Sequence, residues 1–203
     1  YGLGGTIDPD SHYAMFFFVG YGCPPKMRHG GSDGTCDPKF AESFPMMRLM
    51  CGKDLYWDIE AAHRAELFSR LFADDGLYYN PAYPDWPWRT TYNAPFDHGT
   101  TSEDMANMAG CGRMLRAMVT WRELGADRAL DDKIRALVQG MARVAIDRGE
   151  YAYYPDGGVG EPFNYPRSGW YRTDEPAGET EGGEGSVLVY HGHQVQGLMR
   201  WYA

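Results

Sequence analysis

The strongest constraint on this 203-residue chain is a helical hairpin that recurs along it. The first copy pairs residues 37–51, DPKFAESFPMMRLMC, with residues 54–72 across Gly52 and one further residue. The second pairs 105–124 with 128–146 across a link that opens on Gly125. A third copy begins at His191 or Gly192 and runs to Tyr202. Helical spacing is legible in each: Phe40, Phe44 and Met47 in the first, then Met108, Leu115, Met118 and Val119 in the second. Its partner carries Leu130, Ile134, Leu137, Met141 and Val144 on one face with charges opposite, and the third copy carries Val195, Leu198, Met199 and Tyr202. Asp37 is placed to cap the first helix with Pro38 in the first turn, and Pro45 predicts a kink. Gly52 and Gly125 stand where C-terminal caps belong.

The copies recur at about 70 to 80 residues, which is the logic of a repeat architecture and predicts an all-α fold. Links of a few residues make antiparallel hairpins. The other connections, 73–104 and 147–190, far exceed the roughly 15 residues beyond which a loop is usually functional or disordered. Tyr78, Tyr79, Tyr83, Trp86, Trp88, Tyr92, Tyr151, Tyr153, Tyr154, Tyr165 and Trp170 argue against disorder there. Asp75-Gly76 and Asp156-Gly157 predict short hairpin turns inside them. Every short link leaves the C-terminus of a first helix, and every long loop returns to the N-terminus of the next. The long loops therefore gather at one end, which becomes the expected functional mouth and carries the positive ends of the helix dipoles.

Charge excludes some functions. A formal net charge of −9 argues against nucleic acid and anionic membrane surfaces as partners, because both demand a basic patch. No apolar run approaches the roughly 20 residues of a membrane span. An aromatic share of 15% in such an acidic chain points to sugar stacking rather than base stacking. Cys23, Cys36, Cys51 and Cys111 include no C-x-x-C pair, so no metal site is expected from them and no cofactor is implied. They read either as buried reduced thiols or, in an exported protein, with a Cys23–Cys36 disulfide. The amphipathic pattern reaches Ala203 without a capping signal, so residues 1–203 are expected to be a single, incomplete domain of a longer chain. Oligomeric state and location, whether exported or cytoplasmic, stay open.

Two stretches carry a family resemblance. A helix runs into Asp74-Asp75-Gly76-Leu77-Tyr78-Tyr79, and Tyr190-His191-Gly192-His193-Gln194-Val195-Gln196-Gly197-Leu198 opens another. With the recurring hairpins, they resemble the (α/α)6 toroid of six-hairpin glycosidases. The second stretch is similar to the Tyr and Gly-His opening of an inner helix in the bacterial beta-L-arabinofuranosidase-like family. The resemblance implies about two and a half hairpins of a toroid and a carbohydrate-active enzyme, a glycoside hydrolase on plant or bacterial glycans. That family's cysteine-rich zinc site has no counterpart, since there is no Glu-x-Cys and no Cys-Cys pair.

Glycoside hydrolysis needs two carboxyl groups, or a carboxyl group and a substitute nucleophile, across the sugar. Position at the expected mouth selects Asp37 and Glu184 as carboxylates, and His193, opening the third helix, as a proton carrier or hydroxyl partner. Glu184 lies in the run GETEGGEG, whose glycines let a backbone approach a ligand and which reads equally as a solvated acidic loop. His29, Lys39, Trp86, Trp88, Tyr190 and His191 are the candidate sugar contacts, the tryptophans as stacking platforms or as plugs holding a loop down. His63, mid-helix, is given no role. A polysaccharide lyase or sugar epimerase is the alternative enzyme, with Tyr190, His193 and Lys39 at an acidic sugar. A toroid that binds glycans or scaffolds partners without turnover is the third reading.

Overall fold

The computed structural model describes residues 2–15, 18–20, 24, 26–28, 33–69, 74–79, 104–155, 164–170, 173 and 185–203. Among these residues the fold is mainly helical. Five α-helices, α1 (Asp33–Cys51), α2 (Trp57–Ser69), α3 (Met108–Gly125), α4 (Asp131–Val144) and α5 (Gly185–Tyr202), carry it. Short antiparallel ribbons fill the connections. Ile7–Asp8 (β1) pairs with Ala14–Met15 (β2), and Phe18–Gly20 (β3) with Lys26–Arg28 (β4). Met105–Asn107 (β5) pairs with Asn164–Pro166 (β8), and Ile146–Asp147 (β6) with Ala152–Tyr153 (β7). No helix among the described residues is long and apolar enough to cross a membrane.

Side-chain contacts give the direction of each helix. Cys36 meets Arg113, Glu42 meets Arg116 and Thr120, and the Ala41 carbonyl receives Trp121 Nε1, so α1 and α3 run the same way. Arg113 meets His193, Arg116 meets Gln196, and Glu123 meets Arg200, so α5 is also parallel to α3. By contrast α2 folds back on α1, with Arg48 against Trp57 and Glu60, and Phe44 against His63. Arg122 and Asp131 close the short link from α3 into α4. Three parallel first helices with antiparallel partners behind the first two are the arrangement expected from the short links.

The central position of α3 explains its sequence. It is flanked by α1 and α5, so Met108, Ala109, Cys111, Met114, Leu115, Ala117, Met118, Val119 and Trp121 are all buried. A helix covered on most sides keeps only a narrow polar stripe, here Arg113, Arg116, Thr120 and Glu123 along its seam with α1 and α5. The core continues through Leu67 of α2, Leu130 just before α4, and Ile134, Leu137, Met141 and Val144 of α4, the last five being the apolar face read from their spacing. Gly112 and Gly197 make the α3–α5 seam: an added methyl at Gly112 would sit 2.6 Å from Gln194 Cα, and one at Gly197 3.2 Å from the Gly112 carbonyl carbon. The turn Asp74-Asp75-Gly76-Leu77-Tyr78-Tyr79 docks on α4 in the same way. A methyl at Gly140 would meet the Asp75 carbonyl at 2.6 Å, and Gly76 sits at φ +71 with the Ala136 carbonyl carbon 2.7 Å from its missing Cβ.

Several expectations are corrected. The first helix starts at Asp33, so Asp37 is an interior, fully buried residue and not a cap. Pro38 and Pro45 both lie inside α1. Met105–Asn107 is strand, and Asn107 caps α3 by accepting from the Gly110 amide at 2.9 Å. A propensity-based reading missed this because the ribbon partner, Asn164–Pro166, is about 60 residues distant in sequence. Residues 128–146 divide into a 3-10 turn (Arg128–Leu130), α4 and strand β6. The left-handed cap after α3 is Ala126 at φ 49, one residue beyond Gly125. The third helix begins at Gly185, which leaves His193 well inside it. Its expected apolar stripe is split: Leu198 packs against the core, whereas Val195 is 50%, Met199 66% and Tyr202 94% exposed. Cys23 lies outside the described residues, so the expected Cys23–Cys36 pairing does too, and Cys51 is exposed whereas Cys36 and Cys111 are buried. A turn stands at Asp74-Asp75, before Gly76, with its flanking residues 70–73 and 80–103 outside the described ones, as is Asp156-Gly157.

Candidate functional site

Because α1, α3 and α5 are parallel, residues early in α1 and α3 come beside the middle of α5. Cys36, Asp37 and Lys39 come from α1, Arg113 and Arg116 from α3, and His193 from α5. One guanidinium nitrogen of Arg113 lies 4.0 Å from the buried Cys36 sulfur, and the other is hydrogen-bonded to His193 Nε2. A guanidinium can only donate, so Nε2 must accept and the imidazole must be neutral, with its proton on Nδ1. Nδ1 is shut from solvent and meets no hydrogen-bond partner among the described residues. Burial first, and then the charges of Arg113, Arg116 and Lys39, push the His193 pKa down to about 4. Geometry and electrostatics agree on a neutral ring at pH 7.

Arg116 is anchored elsewhere. Its Nη2 lies 3.2 Å from both oxygens of Glu42, which also accepts from Thr120 Oγ1 at 3.1 Å and from Arg200 Nη1 at 3.2 Å. Glu42 is thus a carboxylate at the junction of three helices, buried and satisfied on all sides, which marks it as a structural tie. Asp37 is 0% exposed, and its backbone carbonyl lies 3.3 Å from His63 Nε2. The other nitrogen of His63 is 2.9 Å from the Tyr13 carbonyl, so this buried ring pins the N-terminal segment to α1. Lys39 is exposed at the rim.

A second polar cluster sits on the Asp74–Tyr79 turn. Asp75 Oδ2 accepts from Tyr79 Oη at 2.6 Å and from Arg167 Nη1 at 2.8 Å, and the Arg167 guanidinium lies 4.4 Å from the centre of the Tyr79 ring. Burial and the Asp75 carboxylate push the Tyr79 phenol up, so it stays a donor. The Cys111 thiol beneath it is pushed up to about 12 by burial and is inert as a nucleophile at neutral pH. Asp75 Oδ1 also caps the Leu77 amide at 2.9 Å. Each member is engaged in holding the turn shape, so this cluster is scaffold.

Of the nine candidate residues, the structure brings Asp37, Lys39 and His193 to one end of the helices. Glu184, His29, Trp86 and Trp88 lie outside the described residues, as do the side chains of Tyr190 and His191, whose backbone belongs to α5. Arg113 and Arg116 were not picked out from the sequence. The available signal was two arginines three residues apart in the apolar first half of the helix, where a part-buried charge needs a partner. No group of three or more potential metal ligands occurs among the described residues. No protein family, curated protein or solved structure matches this chain.

Proposed function

We propose that this chain supplies hairpins of an (α/α)6 toroid and acts as a carbohydrate-active enzyme, a glycoside hydrolase on plant or bacterial glycans. The observation that carries this reading is the meeting of three parallel first helices at one end, with His193, Arg113 and the Cys36–Asp37–Lys39 segment drawn together there. A ring of such hairpins needs parallel inner helices, and a sugar site needs hydrogen-bond donors and acceptors at fixed positions around a cleft. In this reading Asp37 and Glu184 form the carboxyl pair that protonates the leaving oxygen and activates water or attacks. His193 is the third member, as a proton carrier or a partner to a sugar hydroxyl. His29, Lys39, Trp86, Trp88, Tyr190 and His191 line the cleft.

The test is reducing-sugar release from aryl glycosides and plant polysaccharides, repeated with Asp37→Asn, Glu184→Gln and His193→Gln. New reducing ends that fall by about two orders of magnitude or more in either carboxylate variant, with thermal unfolding intact, are the expected result. Full turnover in both carboxylate variants refutes the assignment. Sugar binding without product favours the non-catalytic toroid.

A further inference from the structure

We propose that a second sugar site lies at the opposite end of the helices, in a cavity between α1, α2 and the end of α3, where a neutral sugar unit stacks on Trp57. The inference rests on the carbohydrate reading above and adds a place where a glycan is held away from the candidate catalytic residues. The cavity has a volume of about 360 Å3, within the range of small-molecule sites, about 300–1,000 Å3. Leu49 of α1, Trp57 of α2, and Trp121 and Leu124 of α3 give it apolar walls. Leu49 stands 12 residues beyond Asp37 in the same helix, which is about 18 Å along the α1 axis from the candidate site.

Trp57 is the unusual wall. It is 56% exposed, whereas Trp121, which lines the same cavity, is 3% exposed and belongs to the core. Trp57 is nevertheless fixed. The Arg48 guanidinium lies 3.6 Å from the centre of its ring, and its Nε1 donates to Asp54. Arg48 is itself paired with Glu60, which is buried. An indole held at one face and at its nitrogen keeps its second face rigid and open. That face carries the negative side of the ring quadrupole, which the C–H bonds of a sugar ring complement. A platform fixed before the ligand arrives loses little further freedom on binding.

The charges select a neutral ligand. Arg48, Lys53 and Arg64 line the cavity together with Asp54 and Glu60. Arg48 has Glu60 as its counterion, and Arg64, 4.5 Å from the centre of the Trp121 ring, pairs with Asp127 at 2.8 Å. Both part-buried guanidiniums are thus already neutralised, and a charged ligand of either sign meets like charge in the wall. A flat apolar ligand covers Lys53 and Asp54, both exposed, and gives them nothing in place of water. A hydroxyl donates and accepts. A sugar ring can therefore lay one face on Trp57 while its hydroxyls reach the cationic donors and the carboxylate acceptors around it.

The experiment is calorimetric titration of the chain with trisaccharides of galactose, arabinose, xylose and mannose, with trigalacturonate as the charged counterpart. The variants are Trp57→Ala and Leu124→Arg at this cavity and His193→Gln at the other end, each checked for folding by circular dichroism. The expected result is binding of at least one neutral trisaccharide, weakened at least tenfold in Trp57→Ala and Leu124→Arg and parent-like in His193→Gln. Binding lost only in His193→Gln, or lost in all three variants, overturns the site and leaves the carbohydrate reading standing. Binding unchanged in both cavity variants overturns it in the same way. Trigalacturonate held more tightly than any neutral sugar, and lost in Trp57→Ala, overturns the class of ligand. Binding of no sugar overturns the inference and the carbohydrate reading together. If Trp57→Ala fails to fold, Leu124→Arg decides, because Leu124 is an exposed side chain.

Discussion

Gly112→Ala should destabilise the chain although alanine is the better helix former. Gly112 lies inside α3, where the usual exchange stabilises by about 0.5–1 kcal/mol through backbone entropy and solvation. Here the new methyl would sit 2.6 Å from Gln194 Cα, and the His193 carbonyl would be nearer still. Ordinary contact at such a Cβ begins at 3.4 Å. Both obstacles are backbone, so neither can swing away. The whole of α5 must move outward by a large fraction of an ångström, loosening Arg116–Gln196 and the Arg200 pairs in the process. Overpacking against rigid backbone falls in the upper part of the usual range, about 2–3 kcal/mol, and less about 1 kcal/mol of propensity gain it leaves a net loss of about 1–2 kcal/mol. For a chain of this length that lowers Tm by about 2–8 °C. Gly192→Ala is the matched control: it is also within a helix, but nothing lies within 4 Å of its missing Cβ. It should raise Tm by about 1–4 °C. Urea and thermal unfolding of the two variants, with Gly197→Ala as a second seam mutation, supply the comparison. Equal stabilisation by Gly112→Ala and Gly192→Ala would refute the close α3–α5 approach, and with it the parallel arrangement built on that seam.

Three further outcomes are expected. Glu42→Ala should cost about 2 kcal/mol, less than the roughly 3–5 of a fully buried pair because Arg116 and Arg200 are 30% and 33% exposed; a denaturant midpoint within error of the parent would show that the tie is ornamental. Ala126→Gly should stabilise by about 0.5–1 kcal/mol, since Ala126 holds the left-handed cap at φ 49, and a lower Tm in that variant would place the strain elsewhere. Stability should also carry a histidine signature. The folded His193 pKa near 4 lies below its ordinary 6.5, so the unfolded chain takes up that proton first as pH falls. The contribution of this group is full above pH 6.5, declines between 6.5 and 4, and is gone below. His193→Gln should flatten that part of the stability–pH curve, and an unchanged slope in the variant would assign the ring an ordinary pKa.

Much of the helical content was legible because helix periodicity is local. Leu130, Ile134, Leu137, Met141 and Val144 lie three or four residues apart, and the face they define is the face that packs. Helix ends were less legible, since they depend on partners remote in sequence. The β5–β8 ribbon takes Met105–Asn107 out of α3, and Asp33 rather than Asp37 starts α1. At the candidate site, Lys39 and His193 could be chosen for their place at a helix start, although His193 turned out to lie inside α5. Arg113 was invisible as a partner because the contact joins residues 80 apart.

The amino-acid order by itself determined that this chain is mainly helical and that short links join its helices into antiparallel hairpins. Only the tertiary structure decided which faces meet. α5 presents Val195, Met199 and Tyr202 outward and packs inward through Gln194, Gly197, Leu198 and Trp201, a face that the apolar spacing alone did not single out. The reason is that periodicity measures the composition of a face, whereas packing depends on how closely two backbones can approach. Paired glycines at a helix crossing allow an approach that no side-chain stripe can match, and the same approach brings the Arg113 guanidinium onto the His193 ring.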